Sequence, residues 1–179
     1  MHRSLLSALV LAFLCSLPAV AQIGRSGHST SVTISPIHLV FPFIEVTSEF
    51  KMEPKVGVAA IAGIGSIDDF FAFELGGQAR YYLIGDFDHG MQIGGELLYA
   101  HVSDNDIQGS GVSANSNGIS LGAFLGYKIA FGFGLTFDLQ GGIDYMIVRA
   151  HAEDNTGATG NASGSRLYPL LNINLGWSF

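Results

Sequence analysis

The last ten residues, "LLNINLGWSF", alternate without a break. Leu171, Ile173, Leu175, Trp177 and Phe179 are large and apolar, while Asn172, Asn174, Gly176 and Ser178 are small or polar. A period of two puts successive side chains on opposite faces of an extended chain, so this segment reads as a strand with one apolar and one polar face. The pattern recurs upstream. Ile44, Val46, Ser48, Phe50 and Met52 interleave with Glu45, Thr47, Glu49 and Lys51. Phe71, Phe73, Leu75, Gly77, Ala79, Tyr81 and Leu83 interleave with Glu74, Gly76, Gln78, Arg80 and Tyr82. Phe133, Leu135, Phe137, Leu139, Ile143, Tyr145 and Ile147 oppose Thr136, Asp138, Gln140 and Asp144. A helix cannot hold such a pattern on one side, so the chain has to be β.

Composition narrows the class. The 179 residues are one domain's worth of chain. They are 48% hydrophobic and only 13% charged, about half the charge of an ordinary soluble domain. No segment after the N-terminus supplies the ~20 consecutive apolar residues of a spanning helix. The net charge of −7 argues against a nucleic-acid partner, which calls for a basic patch. At the N-terminus, Arg3, an apolar run from Leu5 to Leu17 and the small-x-small site Ala19-Val20-Ala21 predict a secretory signal peptide over residues 1–21. The single cysteine, Cys15, falls inside it, leaving the mature chain without a disulfide or thiolate chemistry.

Residues 22–29 read as a flexible lead, and 30–179 as eight strands near 30–39, 42–52, 55–65, 69–84, 90–103, 117–130, 132–150 and 165–179. Pro36 interrupts the first. Between them "MEPK", "GDFDHG" and "AFG" are tight turns, whereas "SDNDIQGSGVSANSNG" and "HAEDNTGATGNASGSR" read as long polar loops. In an up-and-down order the tight turns share one end and the long loops the other, the asymmetry of an outer-membrane barrel. The expected fold is all-β: an eight-stranded antiparallel transmembrane β-barrel. A soluble barrel would turn the apolar tracks inward, but eight strands could hardly enclose so many aromatics. Those aromatics also gather at strand ends as two girdles, the mark of bilayer interfaces.

With these residues in hand, "NLGWSF" resembles the C-terminal signature of bacterial outer-membrane β-barrels, and the mature chain resembles the small outer membrane protein A-like and X-like barrels. The resemblance implies a Gram-negative outer-membrane location and recognition of Leu175, Trp177 and Phe179 by the barrel-assembly machinery. It also implies a monomer in contact with outer-membrane lipid and lipopolysaccharide.

The polar track carries Glu45, Glu49, Lys51, Glu74, Arg80, Glu96, Lys128, Asp138 and Asp144. Buried charges must be paired. The track therefore reads as an internal ion-pair plug, with Arg80 and Lys128 each between carboxylates and Glu74 foremost among the partners of Arg80. A charged pore lining, hence a small channel, is the alternative. A second alternative is enzymatic. His101 and Ser103 in "HVSDND" resemble the active-site pair of lipid A 3-O-deacylase, in which His activates the hydroxyl and an acid orients the His. Here Asp104, Asn105 and Asp106 stand where that family has Asn-Ala-Gly, and no glutamate follows at a suitable spacing. "SDND" and "AEDN" offer oxygen ligands without EF-hand spacing, and no cofactor fingerprint occurs. The expected role is structural or surface-interactive, without catalysis, metal or cofactor: envelope integrity, adhesion or ligand contact through the outer loops.

Overall fold

The structure, a computed structural model, describes residues 27–40, 42–67, 70–104, 112–154 and 156–179. The expected signal peptide and the start of the lead lie outside the described residues. Eight strands follow in order: β1 (Thr30–Ile34), β2 (Phe43–Glu53), β3 (Val56–Ile67), β4 (Phe70–Gly85), β5 (His89–Asp104), β6 (Val112–Ala130), β7 (Leu135–Asp154) and β8 (Thr159–Ser178). Each pairs antiparallel with its neighbour, and β1 pairs with β8, so one sheet closes in a ring. Among the described residues the only helical element is a 3₁₀ turn, His38–Val40.

The start of β1, the C-terminal residue and the three tight turns lie at one end, here the lower. Phe179 joins the ring through its backbone: its N–H donates to the Thr30 carbonyl (2.8 Å), and its own carbonyl accepts from Ser29 (2.6 Å) and Thr30 (3.2 Å). The turn between β6 and β7 depends on Gly134. Its φ of 105° is a left-handed conformation that disfavours a side chain, and a Cβ there would strike the Trp177 indole.

Register fixes the faces. Glu49 lies opposite Ser31 and Ala59, Arg80 opposite Gly57 and Gly94, and Lys128 opposite Gly90 and Asp138. Glu49 and Arg80 thus meet glycine or small residues across the strands, Lys128 meets Gly90 and the acid Asp138, and all share one inner face. The alternating apolar positions point outward. Their aromatics gather at two levels. Phe131, Phe133 and Trp177 cluster low, with centroids 5.6 Å (Phe131–Phe133) and 5.9 Å (Phe133–Trp177) apart. Phe71, Phe73 and Tyr99 cluster high.

Two expectations about element bounds need correction. The first strand ends at Ile34, not near residue 39, because Pro36 has no N–H to give a ladder and the chain turns into the 3₁₀ element. The two polar segments expected as loops are largely strand: β6 starts at Val112, β7 runs to Asp154 and β8 begins at Thr159. Alternation persists there with its polarity changed. Asn115 and Asn117 point outward and Ala114 and Gly118 inward, so segments that look like loops by composition still satisfy a continuous ladder. The ring is therefore lopsided, low at β1–β3 and tall at β6–β8.

Candidate functional site

The lower and middle interior is filled by a network centred on Arg80. Its Nη1 lies 2.9 Å from Glu49 Oε2 and 2.8 Å from Asp138 Oδ2, and its Nε donates to Gln78 Oε1 at 2.8 Å. Lys128 Nζ reaches the same Glu49 oxygen at 2.8 Å. Tyr82 donates its hydroxyl to Glu49 Oε1 at 2.8 Å. Gln92 and Gln140 donate to the two Asp138 oxygens at 2.5 and 2.9 Å. The four charged side chains are at most 3% exposed, and two acids balance two bases. Such a balance is what lets charge persist away from water. Lys128 has one carboxylate within ion-pair distance. Its other close neighbour is the Phe87 ring, with Nζ 3.6 Å from the centroid, a cation–π contact.

The remaining polar-track residues sit around this centre. Glu96 accepts from Gln78. Lys51 lies at the lower rim, 5.9 Å from the Phe87 centroid. Glu45 stands 3.0 Å from His38 Nδ1, so the 3₁₀ turn carries a histidine onto the inner wall. Glu74 is not a partner of Arg80, contrary to the sequence expectation. The register sets it opposite Gly63 and Ala100, near Glu45 and above the arginine. Among the described residues its Oε1 is buried without a hydrogen-bond partner, as are Asp144 Oδ1, Ser120 Oγ and Asn174 Oδ1. The sequence reading missed the glutamines: Gln78, Gln92 and Gln140 are as buried as the ions and link them. Their inward parity is legible in the sequence, but an uncharged amide gives no signal that it must be paired.

His101 and Ser103 lie on the outer face of β5, apart from this network. His101 packs on Phe73 (centroids 5.3 Å apart), and its Nδ1 is 2.8 Å from Asn117 Oδ1, which also accepts from Tyr99 at 2.7 Å. The Asn117 carbonyl oxygen can only accept, so Nδ1 donates to it. Two features work against a hydrolytic centre. An amide, not a carboxylate, holds the histidine, so it orients the ring without stabilising an imidazolium. No hydrogen bond joins His101 to Ser103 among the described residues. The same cross-strand pair recurs as His151 with Asn161, at 2.8 Å, which suits a hydrated rim better than a unique catalytic site. Among the described residues no group of three or more His, Cys, Asp or Glu is placed to hold a metal ion. Among the described residues no helix is long and apolar enough to cross a membrane.

Comparison with family models, with curated proteins and with solved structures found no match.

Proposed function

We propose that the chain is an integral outer-membrane β-barrel of a Gram-negative bacterium, closed to ion flow and without catalytic activity. Its role is structural or surface-interactive. One observation carries this reading: the solvent-accessible pattern is inside out. Among the described residues, buried side chains comprise eighteen polar or charged and seven apolar or aromatic residues. Leu75, Leu97, Leu121, Leu139, Ile143 and Leu171 are each more than half exposed on the outer face. A soluble protein hides the second kind and shows the first. A bilayer reverses the preference, and the two aromatic levels fall where its interfaces would lie. The upper strands, polar on their outer face, stand clear of the lipid and present His101, Asn117, Arg149 and His151 at the cell surface beside lipopolysaccharide.

The interior network makes a direct electrical prediction. An eight-stranded barrel leaves room for side chains but little else, and Arg80, Lys128, Glu49 and Asp138 fill it. Planar-bilayer recordings of the wild-type chain are expected to show no steady conductance. A stable open level would replace the plug with a channel.

The terminal aromatic predicts an assembly phenotype. Phe179 closes the ring through backbone atoms alone, and its side chain is exposed. Phe179→Ala therefore keeps the closure and removes what an assembly factor would read. Outer-membrane levels in cells are expected to fall while refolding into detergent is nearly unchanged. Equal loss in both settings would assign the ring a purely structural part.

A further inference from the structure

Above the balanced Arg80 network the inner face carries four more acids. Glu45, Glu74, Glu96 and Asp144 lie further up their strands than Glu49, Arg80, Gln92 and Asp138 respectively. The register sorts them into two pairs built alike: Gly63 stands between Glu45 and Glu74, and Gly122 between Glu96 and Asp144. In each pair one carboxylate leans over the glycine toward its partner's strand. A Cβ on Gly63 would strike Glu74 Oε1, and one on Gly122 would strike Asp144 Oδ1. Those same two oxygens are buried without a hydrogen-bond partner among the described residues. The four acids also form one electrostatic group. Glu96 lies within reach of Glu45 and Asp144, and Glu74 within reach of Glu45 and Glu96.

Carboxylates so placed need a cation or a shared proton between them. The first pair has its cation built in: the 3₁₀ turn sets His38 Nδ1 3.0 Å from Glu45 Oε2, within electrostatic reach of Glu74. The second pair has none. Among the described residues no Lys, Arg or His comes within ion-pair distance of Glu96 or Asp144. Arg166, inward on β8, turns instead to the Tyr168 ring, its guanidinium carbon 5.8 Å from the centroid. A third acceptor joins the second pair. Ser120 lies opposite Leu98 and Met146, hence diagonal to both Glu96 and Asp144 on the inner face. It is 2% exposed, and its Oγ has no partner among the described residues.

We infer that Glu96, Asp144 and Ser120 bind the ammonium group of a small primary aliphatic amine. Two carboxylates and a hydroxyl match a group that carries one positive charge and three N–H donors. Asp144 is only half-buried and Tyr168 beside it is exposed, so the amine arrives from the upper mouth. The next inward positions up the wall, Ala72, Ala100 and Gly118, are small and suit a thin alkyl chain. The Arg80 network below stops it there. The inference concerns the inner face alone and does not depend on what surrounds the outer one.

The test titrates butylamine at pH 7.5 into the full mature chain refolded in an uncharged maltoside detergent, with calorimetry as the readout. One saturable site per chain is expected. Glu96→Gln and, separately, Asp144→Asn should weaken binding about tenfold or more, and Ser120→Ala about fivefold, the sizes of hydrogen bonds lost from charged and neutral acceptors. Glu153→Gln, which removes an exposed acid from β7, should change nothing. Tetramethylammonium, with the same charge and no N–H, should bind at least about tenfold more weakly. Removing an acid where acids are in excess should not lower resistance to urea, so lost binding reads as lost contacts. Ser120→Ala, which alters no charge, carries the same reading if either acid variant fails to fold. Tetramethylammonium binding as tightly as butylamine, or butylamine binding indifferent to the three inner variants, would reduce the effect to general charge attraction and overturn the proposal. No binding of butylamine would overturn it too and leave the second pair to share a proton. Each of these results leaves the membrane reading untouched.

Discussion

Replacing Arg80 with methionine is expected to cost about 3–5 kcal/mol of folding stability, the penalty of removing one member of a buried charge network. The side chain lies between Glu49 and Asp138, at 2.9 and 2.8 Å. Without it two buried carboxylates share one cation, Lys128, which touches only Glu49. Adding Asp138→Asn to Arg80→Met should recover much of the loss, because the remaining Glu49–Lys128 pair is again balanced. Urea unfolding in lipid vesicles reads both values. If the double variant is less stable than the sum of the two single losses, the pairing described here is wrong. A single-variant loss below about 1 kcal/mol would place the site in water, where ion pairs contribute that little.

Leu139→Arg is the second large effect, and its size depends on what surrounds the ring. Leu139 points outward from β7 and is 52% exposed. Near the middle of a bilayer an outward arginine costs about 2–4 kcal/mol. On a protein in water the same exchange at an exposed position stays within about 0.5 kcal/mol. Urea titration of folded protein in vesicles separates the two. The neighbouring inward residue gives no neutral control: Gln140 donates to Asp138 at 2.9 Å, so a carboxylate there would face another carboxylate. Val148, inward by parity and outside the ion-pair network, serves better, and Val148→Gln should be tolerated.

The strands legible in the sequence were those in which both faces differ sharply. Ile44 to Met52 and Phe71 to Leu83 alternate large apolar with polar side chains, and their parity sets the inner and outer faces. The polar upper strands were not legible in this way. "SANSNG" and "GNASGS" contain no large apolar residue, so nothing in them signals a buried face, and their glycines and serines imitate loop chemistry. They are extended because each sits beside another strand that continues the ladder, information carried by partners far away in sequence. The network was half legible for the same reason. Parity placed Arg80 and Glu74 on the inner wall, but which acid meets the arginine depends on the stagger between strands. That stagger brings Glu49 and Asp138, 31 and 58 residues away, to its guanidinium and lifts Glu74 above it.

Depth-dependent fluorescence quenching tests the central claim most directly. Trp177 is the only tryptophan, and it lies in the lower aromatic cluster. In vesicles of phospholipids brominated at different depths, Trp177 should be quenched most by bromines close to the headgroup. In the Trp177→Phe background, a tryptophan introduced by Ile143→Trp, on the outer face near mid-height, should be quenched most by bromines deep in the acyl chains. Quenching of neither tryptophan by any brominated lipid would contradict the account and return the outer face to water.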